Sequence, residues 1–183
     1  MRFLLFSLLL AGAAQAETCP APPDHSVAFA RLVERLRDAP DERAARLITN
    51  EMWELWADAP NQQAQAILDR GMTRRAGYDF AGAIADFDRL VEYCPDYAEG
   101  YNQRAFVNFM RQDYEPALED LNRALELSPT HIGALAGRAM TLMGLGRMDE
   151  AQNDLRVALE LNPWLPERGL LQPAETAPDG SDL

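Results

Sequence analysis

The stretch AEGYNQRAFVNFMRQDYEPALEDLNRALELSPTH, residues 98–131, decides the fold, because its residues recur one block upstream and one block downstream. Three prolines mark the step: Pro95, Pro129 and Pro163, with 129 − 95 = 34 and 163 − 129 = 34. Ala105 has Gly71 and Ala139 at that same distance on either side, and Ala117 has Ala83 and Ala151. Four positions after this second small residue stand Phe87, Leu121 and Leu155, and the proline comes eight further on. Small residues let two helices touch, large apolar ones fill the space beside them, and proline cannot continue a helical ladder. Each block therefore predicts a helix, a turn and a second, antiparallel helix.

Two charged columns keep the same step. Arg70, Arg104 and Arg138 recur on the first helix, and Asp86, Asp120 and Asp154 on the second, each Asp sixteen residues after its Arg. One reading is a row of charges that grips a ligand; the other is an ion pair inside each hairpin. The second is preferred, because one spacing repeats in every block whereas a ligand presents different groups along its length. Such a pair sets how a hairpin closes more than it stabilises, since desolvation cancels much of the attraction.

The 34-residue period, the A-x3-F…P pattern met three times in phase, and the dipeptides Arg70-Gly71 and Asp86-Phe87 together resemble the tetratricopeptide repeat family. The resemblance spans residues 64–165. The first half of the signature is looser, with Ile67, Tyr101 and Leu135 where tryptophan is usual and Arg74, Asn108 and Leu142 where tyrosine is. It implies an all-α fold, a right-handed α-solenoid of stacked helix-turn-helix repeats at 64–97, 98–131 and 132–165. It also implies that the first helices line a concave groove. The groove-facing positions are then Gln65, Leu68, Met72 and Arg75, then Glu99, Asn102, Phe106 and Phe109, then Gly133, Ala136, Met140 and Met143. Members of the family that bind chaperone tails clamp a terminal carboxylate with lysine, arginine and asparagine. This chain has no lysine and carries Gly133 and Gly137 where basic residues would be needed, so that clamp is not expected. Met72, Phe106, Phe109, Met140 and Met143 make an apolar row instead, either an open groove suited to a peptide, with Asn102 bonding its backbone, or covered core.

Outside the repeats, residues 1–16 read as a cleavable export signal: Arg2, an apolar run from Phe3 to Leu10, then Ala14-Gln15-Ala16. That run is too short to span about 30 Å of hydrocarbon as a helix, so no membrane span is expected after cleavage. A periplasmic location follows. Glu17 argues against lipidation at Cys19. In an oxidising compartment the two cysteines, Cys19 and Cys94, are read as a disulfide rather than as a reactive thiol at Cys94. Residues 17–25 form a proline-rich tether. Residues 26–61 form a degenerate helical hairpin that caps the stack, with Ser26 and Asp41 capping its two helices. Trp53 and Trp56 share one side of the second helix, and are expected to pack on the first helix of the next repeat rather than to anchor a partner. A short closing segment is expected at 166–171, over the last exposed face, and a disordered acidic tail at 172–183.

A net charge of −12 disfavours nucleic acid as a partner. His25 and His131, the only histidines, lack metal-ligand spacing and a serine or cysteine partner, and His131 is read as bordering or capping a helix. No catalytic residue, metal, cofactor or small-molecule substrate is expected. The expected function is a scaffold or adaptor that binds a protein or peptide of the cell envelope, in assembly or secretion. The alternative is a self-associating structural subunit using Trp53 and Trp56 or the face around Trp164; a hydrolytic enzyme is the distant third.

Overall fold

Three helical hairpins of nearly equal length stack in chain order, and a fourth lies apart from that order. The structure, a computed structural model, describes residues 18–173. The segment read as an export signal and most of the segment read as an acidic tail fall outside the described residues. Within them there are eight α-helices and no strand: α1 (Ser26–Arg37), α2 (Glu42–Trp56), α3 (Gln62–Ala76), α4 (Phe80–Tyr93), α5 (Ala98–Met110), α6 (Tyr114–Leu127), α7 (Ile132–Gly144) and α8 (Met148–Leu161). A 3₁₀ turn, Pro166–Leu170, follows α8. The helix α3 begins two residues before the 64 at which the first repeat was expected, because Asn61 caps it by accepting from the Ala64 amide at 2.9 Å.

Side chains also cap α2 and α4. Asp41 accepts from the Ala44 amide and Asp79 from the Gly82 amide, at 2.8 and 3.0 Å. Ser26 does not cap α1. It is the first helical residue, and its amide donates to the Asp24 carboxylate at 2.9 Å.

Within the three repeat hairpins the first helix always ends the same way. Tyr78, Gln112 and Gly146 take left-handed backbone, with φ of 61°, 64° and 75°, and they stand 34 apart. Their amides bond the carbonyls of Arg75, Phe109 and Met143, and the next amides reach back to Arg74, Asn108 and Leu142. This double bond pattern is the Schellman closure, which satisfies carbonyls the helix leaves unpaired. Only one of the three residues is glycine, so the closure holds Tyr78 and Gln112 in a conformation that costs roughly 1 kcal/mol each.

The repeat signature becomes packing. Phe87 is fully buried, and a Cβ on Gly71 would lie 2.5 Å from its ring. The other two repeats carry alanine at that column, Ala105 and Ala139, and the smaller Leu121 and Leu155 opposite. Volume removed on one helix is returned on the other, as close-packed interiors require.

The Arg and Asp columns meet across each hairpin. Arg70 reaches Asp86 at 2.7 Å, Arg104 reaches Asp120 at 2.6 Å and Arg138 reaches Asp154 at 2.6 Å. Two of these arginines also reach back one hairpin: Arg104 to Asp88 on α4 at 2.8 Å, and Arg138 to Asn122 on α6 at 3.0 Å. Each guanidinium thus ties its own hairpin shut, and those of Arg104 and Arg138 also hold the preceding hairpin in register.

A candidate interaction face on the inner helices

The inner helices α3, α5 and α7 present the groove positions at spacings of three and four residues, which places each set on one side of its helix. Burial divides these positions in two. Leu68, Glu99, Asn102 and Ala136 are buried, whereas Met72, Arg75, Phe109, Met140 and Met143 are half-buried and Phe106 is 46% exposed. Leu68 belongs to the core with Phe87 and Leu90, so it is no groove contact.

Glu99 and Ala136 lie under the chain's own amino-terminal hairpin. It does not continue the stack ahead of α3, and Trp53 and Trp56 do not pack on that helix. Trp56 stacks on the His131 ring, with centroids 4.2 Å apart and planes 12° from parallel. Trp53 lies edge-on to the same ring and sits over Gly133, where a Cβ would be 2.7 Å from its indole. The Tyr97 hydroxyl donates to the Trp56 carbonyl at 2.7 Å. At the other end, the Trp164 indole donates to the Leu36 carbonyl and Arg37 to the Glu160 carbonyl, both at 3.2 Å. Leu32, Val33, Leu36, Ile48 and Met52 share one apolar cluster with Ile132, Leu135, Ala136 and Leu165. The glycine at 133, where the other repeats carry Gln65 and Glu99, is the one sequence signal of this contact.

Below the tryptophans lies a buried polar network. Glu99 accepts from Asn102 and His131 on one carboxylate oxygen, both at 2.9 Å, and from Gln103 on the other. His131 caps α7 by accepting at Nδ1 from the Ala134 amide at 3.2 Å, which leaves Nε2 to carry the hydrogen toward Glu99. Asn102 is buried and gives one of its two amide hydrogens to Glu99. Tyr97 sits alongside, and burial pushes its hydroxyl pKa far up, reinforced by the nearby Glu99 carboxylate.

The part left open runs along the carboxyl-terminal halves of the inner helices. There the Arg75 guanidinium lies 4.9 Å above the Phe106 ring and bonds Gln103, so this cation is held in place rather than free to clamp. Burial lowers its pKa, against the pull of Glu99. Met110, 38% exposed, extends the apolar surface beside Phe106.

The amino-terminal segment is rooted close by. Cys19 and Cys94 form a disulfide with Cα atoms 5.2 Å apart, which fastens the tether to the end of α4. His25 and Asp58 bond at 2.8 Å across the base of the hairpin. Between tether, hairpin and repeats is a cleft of about 430 Å³ walled by Pro23, Phe29, Trp56, Tyr97 and His131. At the carboxyl end, Gln152 holds the closing turn through the Leu170 carbonyl at 3.1 Å, although Leu170 and Leu171 themselves stay exposed. Among the described residues no group of His, Cys, Asp and Glu is placed to hold a metal ion.

Stacked helical hairpins with an inner face that carries both an intramolecular contact and an open apolar strip define a helical-repeat interaction scaffold. Residues 98–131 and 132–163 match family models described as tetratricopeptide repeat, so the chain carries tetratricopeptide repeats. Among solved structures, it resembles the second tetratricopeptide domain of Spaghetti (RPAP3) bound to the HSP90 peptide SRMEEVD, at 29% identity and a TM-score of 0.54, covering 55% of this chain and 94% of that one. The second such domain of human RPAP3, in complex with the HSP70 peptide SGPTIEEVD, aligns at 28% identity and a TM-score of 0.55 over 57% of this chain and 88% of that one. MamA aligns over 72% of this chain and 74% of its own length, with a TM-score of 0.53 and 22% identity, a likeness of fold alone. A search of curated proteins by sequence finds no match.

Proposed function

We propose that this protein is an exported adaptor of the cell envelope that holds an apolar segment of a partner protein against the open strip of its inner face. The observation that carries the reading is Phe106, 46% exposed in the middle of that strip and flanked by Met110. A large aromatic left in water at the centre of an interaction face is the usual chemistry of a binding anchor. Methionines at 72, 140 and 143, on the neighbouring inner helices, give the strip an adaptable edge.

The partner differs from the acidic tails in the two peptide complexes. Glu99 lies on the inner face, the chain has no lysine, and the one strip cation, Arg75, is engaged by Phe106 and Gln103. Export is supported by the apolar leader in the sequence and by the disulfide, which persists in oxidising compartments. The subunit alternative has less surface to draw on, because Trp56 and Trp164 are half-buried against this chain's own residues, while Trp53 stays 37% exposed.

Crosslinking in intact cells, with a photoreactive residue in place of Phe106, tests the proposal. A discrete adduct that disappears in the Met140→Arg background, with helicity unchanged, is expected. No adduct at Phe106, or loss of helicity in both Phe106→Arg and Met140→Arg, refutes it.

A further inference from the structure

The amino-terminal hairpin shares an apolar cluster with the repeats, yet it is joined to them as an occupant is to its site. Neighbouring helices from α3 to α8 pack side by side, but α1 and α2 make no comparable run against any of them. They meet the repeats through long side chains. Among the described residues, the polar bonds crossing this contact are Tyr97 to Trp56, Trp164 to Leu36 and Arg37 to Glu160, with Arg168 approaching Glu42 at 3.6 Å. All lie at the ends of the two helices.

The buried carboxylate below is satisfied without the hairpin. Every hydrogen bond to Glu99 comes from Asn102, Gln103 or His131, on or beside α5 and α7. Lifting α2 therefore exposes a paired network to water and orphans none of its members, so the usual penalty for uncovering a buried charge does not arise. The hairpin is also rooted at one place on both sides, by Cys19–Cys94 and His25–Asp58 before α1 and by the 57–61 connection after α2. It can swing as a unit and stay at high effective concentration over the surface it leaves.

We propose that α1–α2 is an intramolecular occupant of the inner face of the second and third repeats, and that it gives way to a partner amphipathic helix carrying two large aromatic residues three positions apart. The partner's chemistry is given by α2 itself. Trp56 uses the His131 ring as a stacking platform, Trp53 uses the space that Gly133 leaves open, and the carbonyl at the helix end accepts from Tyr97. A competing helix must reproduce those contacts. The inference rests on the reading of the inner face as a protein-binding surface. It adds that the strip around Phe106 is the entry and the covered half the destination.

The test uses the disulfide-bonded protein and a fluorescein-labelled peptide of residues 41–57, the chain's own α2. Trp56→Ala removes the stacking anchor and should raise affinity for the peptide about ten-fold over the native chain, with helicity retained, because a larger fraction of molecules is open. Gly133→Leu fills the Trp53 position, so it should displace the hairpin, seen as a red shift of tryptophan emission, without any gain in peptide binding. Amides of 42–56 should exchange faster than those of α5 and α7 in the native chain. Equal peptide affinity in native and Trp56→Ala proteins, collapse of α3–α8 in Trp56→Ala, or equal exchange of α2 and α5 would each overturn the proposal. An adduct at Phe106 alongside any of those results would leave the adaptor reading standing and remove only the occupant.

Discussion

Replacing Arg104 by alanine removes both sides of a two-way tie. Its guanidinium makes a two-point contact with Asp120, at 2.9 and 2.6 Å, and a further bond to Asp88 at 2.8 Å. The Asp120 side chain is only 8% exposed, whereas Asp88 is 55% exposed. The Asp88 contact is therefore worth little, since exposed pairs contribute between nothing and about 1 kcal/mol. The cost comes from Asp120, left without its cation where water reaches it poorly, and truncating one partner of such a pair costs about 3 kcal/mol. In a chain of this size that lowers the melting temperature by roughly 6–12 °C. The pH dependence separates an orphaned charge from lost packing. The bond to Asp120 raises the Arg104 pKa, while burial raises that of Asp120 against the pull of Arg104. Without Arg104 that upward push is unopposed. A carboxyl whose folded pKa lies above its unfolded value weakens the fold as pH rises through the folded pKa, so the deficit should be largest at pH 7 and shrink toward pH 4. Adding Asp120→Ala to Arg104→Ala should recover part of the loss at pH 7. Thermal melts of the two variants at both pH values measure all of this. A deficit independent of pH, or a double variant less stable than the single, would refute the orphaned-charge account.

Asp86 should behave with the opposite sign: the Arg70 hydrogen bonds, then the charges of Arg70, Arg74 and Arg89, hold its carboxyl below the ordinary value of 3.8. Its stabilisation is present above that value and is lost as pH falls through the lower folded one, so urea midpoints should drop below about pH 4 in the native chain and less in Asp86→Asn. Cys19→Ser opens a loop of 75 residues and should lower stability by about 4 kcal/mol on the chain-entropy account, with one titratable thiol appearing at Cys94; two thiols in the unreduced native protein would exclude the bridge. Gly71→Ala drives a methyl into the Phe87 ring and should cost about 1–3 kcal/mol, while Gly71→Ala with Phe87→Leu recreates the pairing used in the other repeats and should recover most of it in denaturant melts.

The sequence by itself determined the three repeat hairpins, their turns and the spacing of the arginine and aspartate columns. These features are legible because each is a contact between positions a fixed distance apart, and a contact made three times leaves three copies of its residues 34 apart. The small residue opposite the large apolar one, Gly71 with Phe87, is of this kind, whereas the left-handed residues Tyr78, Gln112 and Gly146 share a position but no residue type and show only in the backbone. Only the tertiary structure decided where α1–α2 goes, and with it which half of the inner face is open. That contact joins residues 53–56 to 131–133 once, with no second copy to reveal it, and the apolar side of an amphipathic helix suits many neighbours equally well. Asn102 and Glu99 show the consequence. Their spacing puts them on the inner face, but whether an inner-face residue meets a partner or its own chain depends on what lies across from it; Asn102 bonds Glu99, and Glu99 meets His131, on which Trp56 stacks.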